Sequence, residues 1–149
     1  RDVSMAKAMA SDAAWFVGCS HLHISGYALL REPVGSAARE AIRVARAAGA
    51  RVSIDLSSWS AIRDFGATAF RDLLGALRPD VVFANTAEDR IIGGPIAGSA
   101  WIVKAGSAGA SFDGEHRAAV PVAAVADSTG ADRHALRRRC NRPTPQRPP

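Results

Sequence analysis

The chain has 149 residues, 48% of them apolar, which is one domain's worth of sequence with enough apolar surface to bury a core. No uninterrupted apolar run reaches about 18 residues, so no membrane span is expected, and the opening "RDVSMAKAMASDAAW" lacks the apolar centre of a secretory signal. The net charge of +5 is local. Residues 132–149 hold six arginines and one acid, Asp132, so that segment carries the whole excess and the remaining 131 residues balance.

A basic stripe on a folded face would point to nucleic acid; a terminal run without interleaved aromatics is a weaker signal. Two cysteines, Cys19 and Cys140, lie far apart with no CxxC spacing, which argues against a zinc site or disulfide framework and fits a reducing, cytoplasmic setting. Opening on Arg1 rather than Met, the chain is expected to lack its start.

In chain order, "WFVGCSHLHISG" (Trp15 to Gly26) reads as a buried strand running into a glycine turn. "GSAAREAIRVARAAGA" has helical spacing, with Ala38, Ala41, Ile42, Ala45 and Ala48 on one face and Gly49 as its stop. "RVSIDLS" is a strand ending at Asp55. "FGATAFRDLLGALRPD" is a second amphipathic helix, with Phe70, Leu73, Leu74 and Leu77 inward and Pro79 just past its end. "VVFAN" is a short apolar strand, "TAEDRII" opens a helix, and "WIVKAG" is a further strand. The segment from Ser107 to Gly130 supplies glycine turns between short strands, read as a hairpin.

Strands alternating with helices imply βαβ units and a mainly parallel α/β sheet with helices on both faces. In such sheets ligands bind at the carboxyl ends of the strands. Asp55, Asn85, Lys104 and Asp127 all fall there.

Each of these positions has a structural and a chemical reading. Asn85 and Glu88 have the spacing of a helix cap, and the same side chains point at a helix mouth where a metal–phosphate group could sit. Gly106 and Gly109 suit a hairpin needing positive φ at Gly109, and the same loop lets a nucleotide approach the backbone. "AVADSTGA" ends a strand in a turn where amides converge ahead of a helix, a ready anion site. His21 and His23 share a strand face, but no third ligand is placed by the sequence, so they read as ordinary strand histidines.

Taken in order, "HLHISGYALL", "SIDLS", "VVFANTAED", "IVKAGSAGA" and "DSTGA" resemble the PfkB (ribokinase-like) family of carbohydrate kinases, over roughly Trp15 to Ala131. The resemblance implies a ribokinase-like, Rossmann-like fold, here incomplete. It further implies ATP-dependent phosphorylation of a sugar or nucleoside hydroxyl, with ATP and Mg2+ as cofactors. On that basis Asn85 and Glu88 match the N-x-x-E motif, Glu88 acting on magnesium through water. Lys104, Gly106 and Gly109 match the segment beside ATP. Thr129, Gly130 and Ala131 match the start of the family's D-[ST]-T-G-A-G-D signature, whose amides form the anion hole and whose last Asp is the base. Intact relatives are expected to pair as homodimers.

The pattern then departs from the family. One glycine is absent from the signature, so Asp132 arrives one position early, a rotation of roughly 100° and a rise of about 1.5 Å on a helix. Beyond it "RRRCNRPTPQRPP" cannot continue a helix. Residues 1–131 are therefore expected to be a partial kinase domain, and 132–149 a basic Arg/Pro-rich tail, disordered or read from a shifted frame. The expectation is an impaired kinase fragment. The alternative is a non-catalytic module that binds nucleotide, or RNA through the tail.

Overall fold

The computed structural model describes residues 13–121. The chain divides into two units, Arg1–Ala119 and Val120–Pro149, and every element below lies in the first. Six strands form one sheet in the order β1 to β6: β1 (His21–Ser25), β2 (Arg51–Asp55), β3 (Val81–Asn85), β4 (Ala100–Lys104), β5 (Ala110–Phe112) and β6 (Glu115–Arg117). The first four run parallel and the last two join antiparallel, giving the mainly parallel sheet expected.

The helices are α1 (Gly26–Leu29), α2 (Val34–Ala47), α3 (Trp59–Phe65), α4 (Ala67–Leu77) and α5 (Thr86–Ile92). In α2, Ala38, Ile42 and Ala45 recur at helical spacing and are buried together with Val44, while Ala48 is the exposed cap residue rather than part of the inner face. Gly49 ends it with φ +86°. In α4, Phe70 and Leu74 are completely buried, with Leu73 and Leu77 packed beside them. Arg71 of the same helix donates to the carbonyls of Ile92, Gly94 and Pro95 at 2.8–2.9 Å, which satisfies the exit of α5 and fixes it to α4.

The strand order dictates where the helices lie. Parallel crossovers are right-handed as a rule, and β1 to β4 are laid down in one direction, which puts successive crossovers on the same side. One core results. Val52, Ile54, Val82, Ala84 and Trp101 from the sheet meet Leu29, Ala38, Ile42, Ile62, Phe70, Leu74 and Ile92 from the helices. Leu22, Ile24 and Val103 share that sheet face by register and pack against the same core. The opposite face presents His21, His23, Ser53, Val81, Phe83, Ile102 and Phe112, and no described helix covers it. Among the described residues, which cover part of the ribokinase-like fold, the helices pack on this one face.

Two further differences are local. The expected strand from Trp15 begins only at His21; residues Ala13–Phe16 form a 3-10 turn that leaves Trp15 and Val17 exposed, and Gly18 turns the chain at φ +75°. The segment "WSAIRDF" is a helix, α3, opened by Ser58, whose hydroxyl accepts from the Ala61 amide at 3.3 Å, and separated from α4 by Gly66 at φ +104°.

Candidate functional site at the carboxyl edge of the sheet

The parallel register puts Ser25, Asp55, Asn85 and Lys104 at the carboxyl ends of adjacent strands, all directed to the uncovered face. Lys104 lies beside Asn85, and Asp55 lies two strands away, so its ammonium crosses β3, about 10 Å of sheet, to pair with the Asp55 carboxylate. Their side chains keep 49% and 25% of their exposure, so the pair is open to competition from another anion.

Asp55 is also the hub of a turn. Its Oδ1 accepts from the Ser57 amide at 3.0 Å, which holds Ser57 at φ +69°. The Ser57 hydroxyl donates to the Asp55 carbonyl at 2.8 Å. Having spent its proton there, it can only accept from the Ser25 hydroxyl, 2.8 Å away. Close approach of this turn explains Gly26: a Cβ there would lie 2.8 Å from the Asp55 carbonyl oxygen and 2.9 Å from that of Leu56.

Asn85 and Glu88 form a complete capping box. The Asn85 Oδ1 accepts from the amides of Ala87 and Glu88, both at 2.9 Å, and the Glu88 Oε2 accepts from the Asn85 amide at 2.9 Å. Glu88 is only 2% exposed, so the carboxylate stays in place through that bond.

The β4–β5 connection contains the 3-10 turn Gly106–Ala108. Within it the amides of Ala105, Ala108 and Gly109 bond to carbonyls of the loop itself. Gly109, at φ +101°, is obligatory: its Cβ would sit 2.0 Å from the Arg117 carbonyl oxygen. Gly106, at φ +58°, has nothing within 4 Å of that position, which leaves room above the Lys104 end of the strand. The hairpin that follows turns at Asp113 and Gly114, both with positive φ, the pairing that suits a tight two-residue turn.

The structure therefore brings Asn85, Glu88, Lys104, Gly106 and Gly109 to one edge. Asp55, which the sequence placed at a strand end, joins them there, and the structure adds Ser57 and Ser25, which the sequence did not single out. Asp127, Thr129, Gly130, Ala131 and Asp132, with the tail from 132 to 149, lie outside the described residues. Among the described residues no group of three or more His, Cys, Asp and Glu side chains is placed to hold a metal. No described helix is long and apolar enough to cross a membrane.

No family profile matches the chain, and no curated protein sequence matches it. Solved structures do. The adenosine kinase of Sinorhizobium meliloti is 21% identical with a TM-score of 0.68, over 80% of this chain and 41% of that one. An E. coli protein described as ribokinase II, in complex with ATP and Mg2+, is 25% identical with a TM-score of 0.64, over 86% of this chain and 46% of that one. The fructokinase of Vibrio cholerae with fructose, ADP and calcium bound is 22% identical with a TM-score of 0.50, over 66% of this chain and 37% of that one. The chain spans less than half the length of each. Its sheet and helices make up part of the ribokinase-like fold of the PfkB sugar and nucleoside kinases.

Proposed function

We propose that this chain is the nucleotide-side portion of an ATP-dependent kinase acting on a sugar or nucleoside hydroxyl, and that on its own it binds nucleotide weakly and turns nothing over. The observation that carries the reading is the exposed Lys104 ammonium beside the open space at Gly106, on the carboxyl edge of a ribokinase-like sheet.

The residues fit a nucleotide phosphate better than they fit a bare metal ion. Lys104 would exchange its contact with Asp55 for a phosphate oxygen, a point-charge contact that an ammonium makes readily. Glu88 has one carboxylate oxygen engaged by the Asn85 amide within the capping box, and toward Mg2+ it would act through water. When bound, Mg2+–ATP supplies the phosphoryl group and neutralises charge on its oxygens. The site's own work is to orient the phosphates against α5 and the β4–β5 loop. Phosphoryl transfer further needs an anion hole at Thr129, Gly130 and Ala131 and a base. Asp132 stands one position early for that base, and a displacement of about 1 Å can cost on the order of 100-fold in rate.

Titration of the full chain with Mg2+–ATP tests this. Binding is expected to be weak and to fall at least about tenfold in Lys104→Ala, with no phosphorylation of adenosine, ribose or fructose. Binding indifferent to Lys104→Ala removes the proposed site, and robust turnover refutes the impaired state. The basic tail supports a second reading, RNA binding. Salt-dependent RNA affinity that disappears on deleting residues 132–149, without nucleotide binding in what remains, would favour it. Resequencing across the codons for Ser128 to Leu136 decides whether the tail belongs to a shifted frame.

A further inference from the structure

The Lys104 ammonium does not stand free at the carboxyl edge. It is held by Asp55, whose two carboxylate oxygens have separate tasks: Oδ1 accepts from the Ser57 amide at 3.0 Å, and Oδ2 takes the ammonium. The turn fixes the carboxylate in place. Ser57 sits at φ +69° and its hydroxyl donates to the Asp55 carbonyl at 2.8 Å, so side chain and backbone of Asp55 are both tied to the same residue. Lys104 is the opposite case, a long flexible stem whose side chain is half exposed. In this pair the acid is the fixed partner and the base is the one able to leave.

An anion arriving at Lys104 therefore meets two costs. The ammonium must first give up Asp55. The carboxylate it leaves then stays beside the incoming charge and repels it. Among the described residues Lys104 is the only cation paired with Asp55, so no second base takes over that carboxylate when the lysine turns away.

We propose that Asp55 is a built-in competitor for the anion site at Lys104, setting a threshold that a ligand's phosphates must exceed before the lysine turns to them. The inference rests on the reading of Lys104 as a phosphate contact, and adds a cause for weak binding that lies within the strand ends themselves. A single carboxylate offers the ammonium no more than Asp55 already does. A chain of phosphates offers several charged oxygens at once, and is the class of ligand able to displace it.

Asp55→Asn separates the two tasks of the side chain. Its carboxamide oxygen keeps an acceptor for the Ser57 amide, while its NH2, a donor, stands where the ammonium had an acceptor. The test is calorimetric titration of the full chain with inorganic pyrophosphate at low salt. Asp55→Asn is expected to bind at least about fivefold more tightly than the parent, the scale of one partly exposed ion pair. Adding Lys104→Ala to it should abolish the gain. Unchanged or weaker affinity in Asp55→Asn, with Lys104→Ala still weakening the parent, overturns the competition and leaves the phosphate reading standing. A gain that survives Lys104→Ala assigns the effect to net charge and overturns it as well. Affinity indifferent to Lys104 in both backgrounds removes the phosphate reading and this inference together. Should Asp55→Asn fail to fold, the unaltered chain still decides. Pyrophosphate must shift the Lys104 side-chain resonances and the Asp55 carboxyl carbon together, and a shift at Lys104 with none at Asp55 refutes the proposal.

Discussion

The two faces of the sheet have opposite characters although the same strands make both. On the helical side Val52, Ile54, Val82 and Ala84 lose all their exposure and Trp101 nearly all. On the other side the same strands present His21, His23, Phe83 and Ile102, and β5 adds Phe112, which keeps 52%. Residue type alone does not explain the difference, since Phe and Ile occur on both. The cause is topological: right-handed crossovers between strands laid down in one direction give one side every helix. Apolar character on a strand therefore reports burial only where something arrives to cover it.

The sharpest test of that contrast is a pair of phenylalanines. Phe70, completely buried among the helices, should cost about 3–5 kcal/mol on replacement by Ala, through lost transfer energy and the cavity left behind. Phe112→Ala should fall within about 0.5 kcal/mol of the parent, since that ring is half in water. Denaturant midpoints of the two variants would settle it. Comparable losses would mean that something covers the second face in solution.

Along the sheet's carboxyl edge the expected effect is smaller. Asn85→Ala removes an acceptor shared by two amides at the start of α5 and should cost about 1 kcal/mol, within the range for lost caps. Because the Glu88 carboxylate accepts from the Asn85 backbone amide, which Ala keeps, the same change should weaken Mg2+–ATP binding only by loosening the start of α5. A stability loss with unchanged nucleotide affinity would restrict Asn85 to a structural role.

The local parts of this arrangement were readable without coordinates. The bounds of β2, β3 and α5, the glycine stop at Gly49, and the inward faces of α2 and α4 follow from spacing and caps within a few residues. So did the Asn85–Glu88 pairing, since a capping box is a short-range motif.

Long-range relations were not readable. The Asp55–Lys104 pair and the convergence of His21 and His23 on Ser53 depend on strand register, which no local pattern states. Trp15, Phe16 and Val17 misled for a related reason: an apolar triplet has no period, and here Gly18 turns the chain before pairing can begin. The helix α3 carried a signal that went unused, a serine cap ahead of Ile62, the residue that reaches the core.

The mildest test stays on the covered side, at its solvent rim. Glu32 precedes α2, and its carboxylate accepts from the Ser36 amide at 3.1 Å and from Arg39 at 2.5 Å. The hydrogen bonding at Ser36, then that to Arg39, holds its pKa at about 2 against an ordinary 4.5. A depressed carboxylate stabilises the folded chain above its unfolded pKa, and that contribution is lost as pH falls through the folded one. Glu32→Gln should thus be less stable than the parent above about pH 4.5, and the gap should close toward pH 2. The group is largely exposed, so the gap will be small and will shrink with salt. A gap that stays constant across that window would mean that Glu32 acts through shape, as a fixed acceptor for the Ser36 amide, and not through its charge.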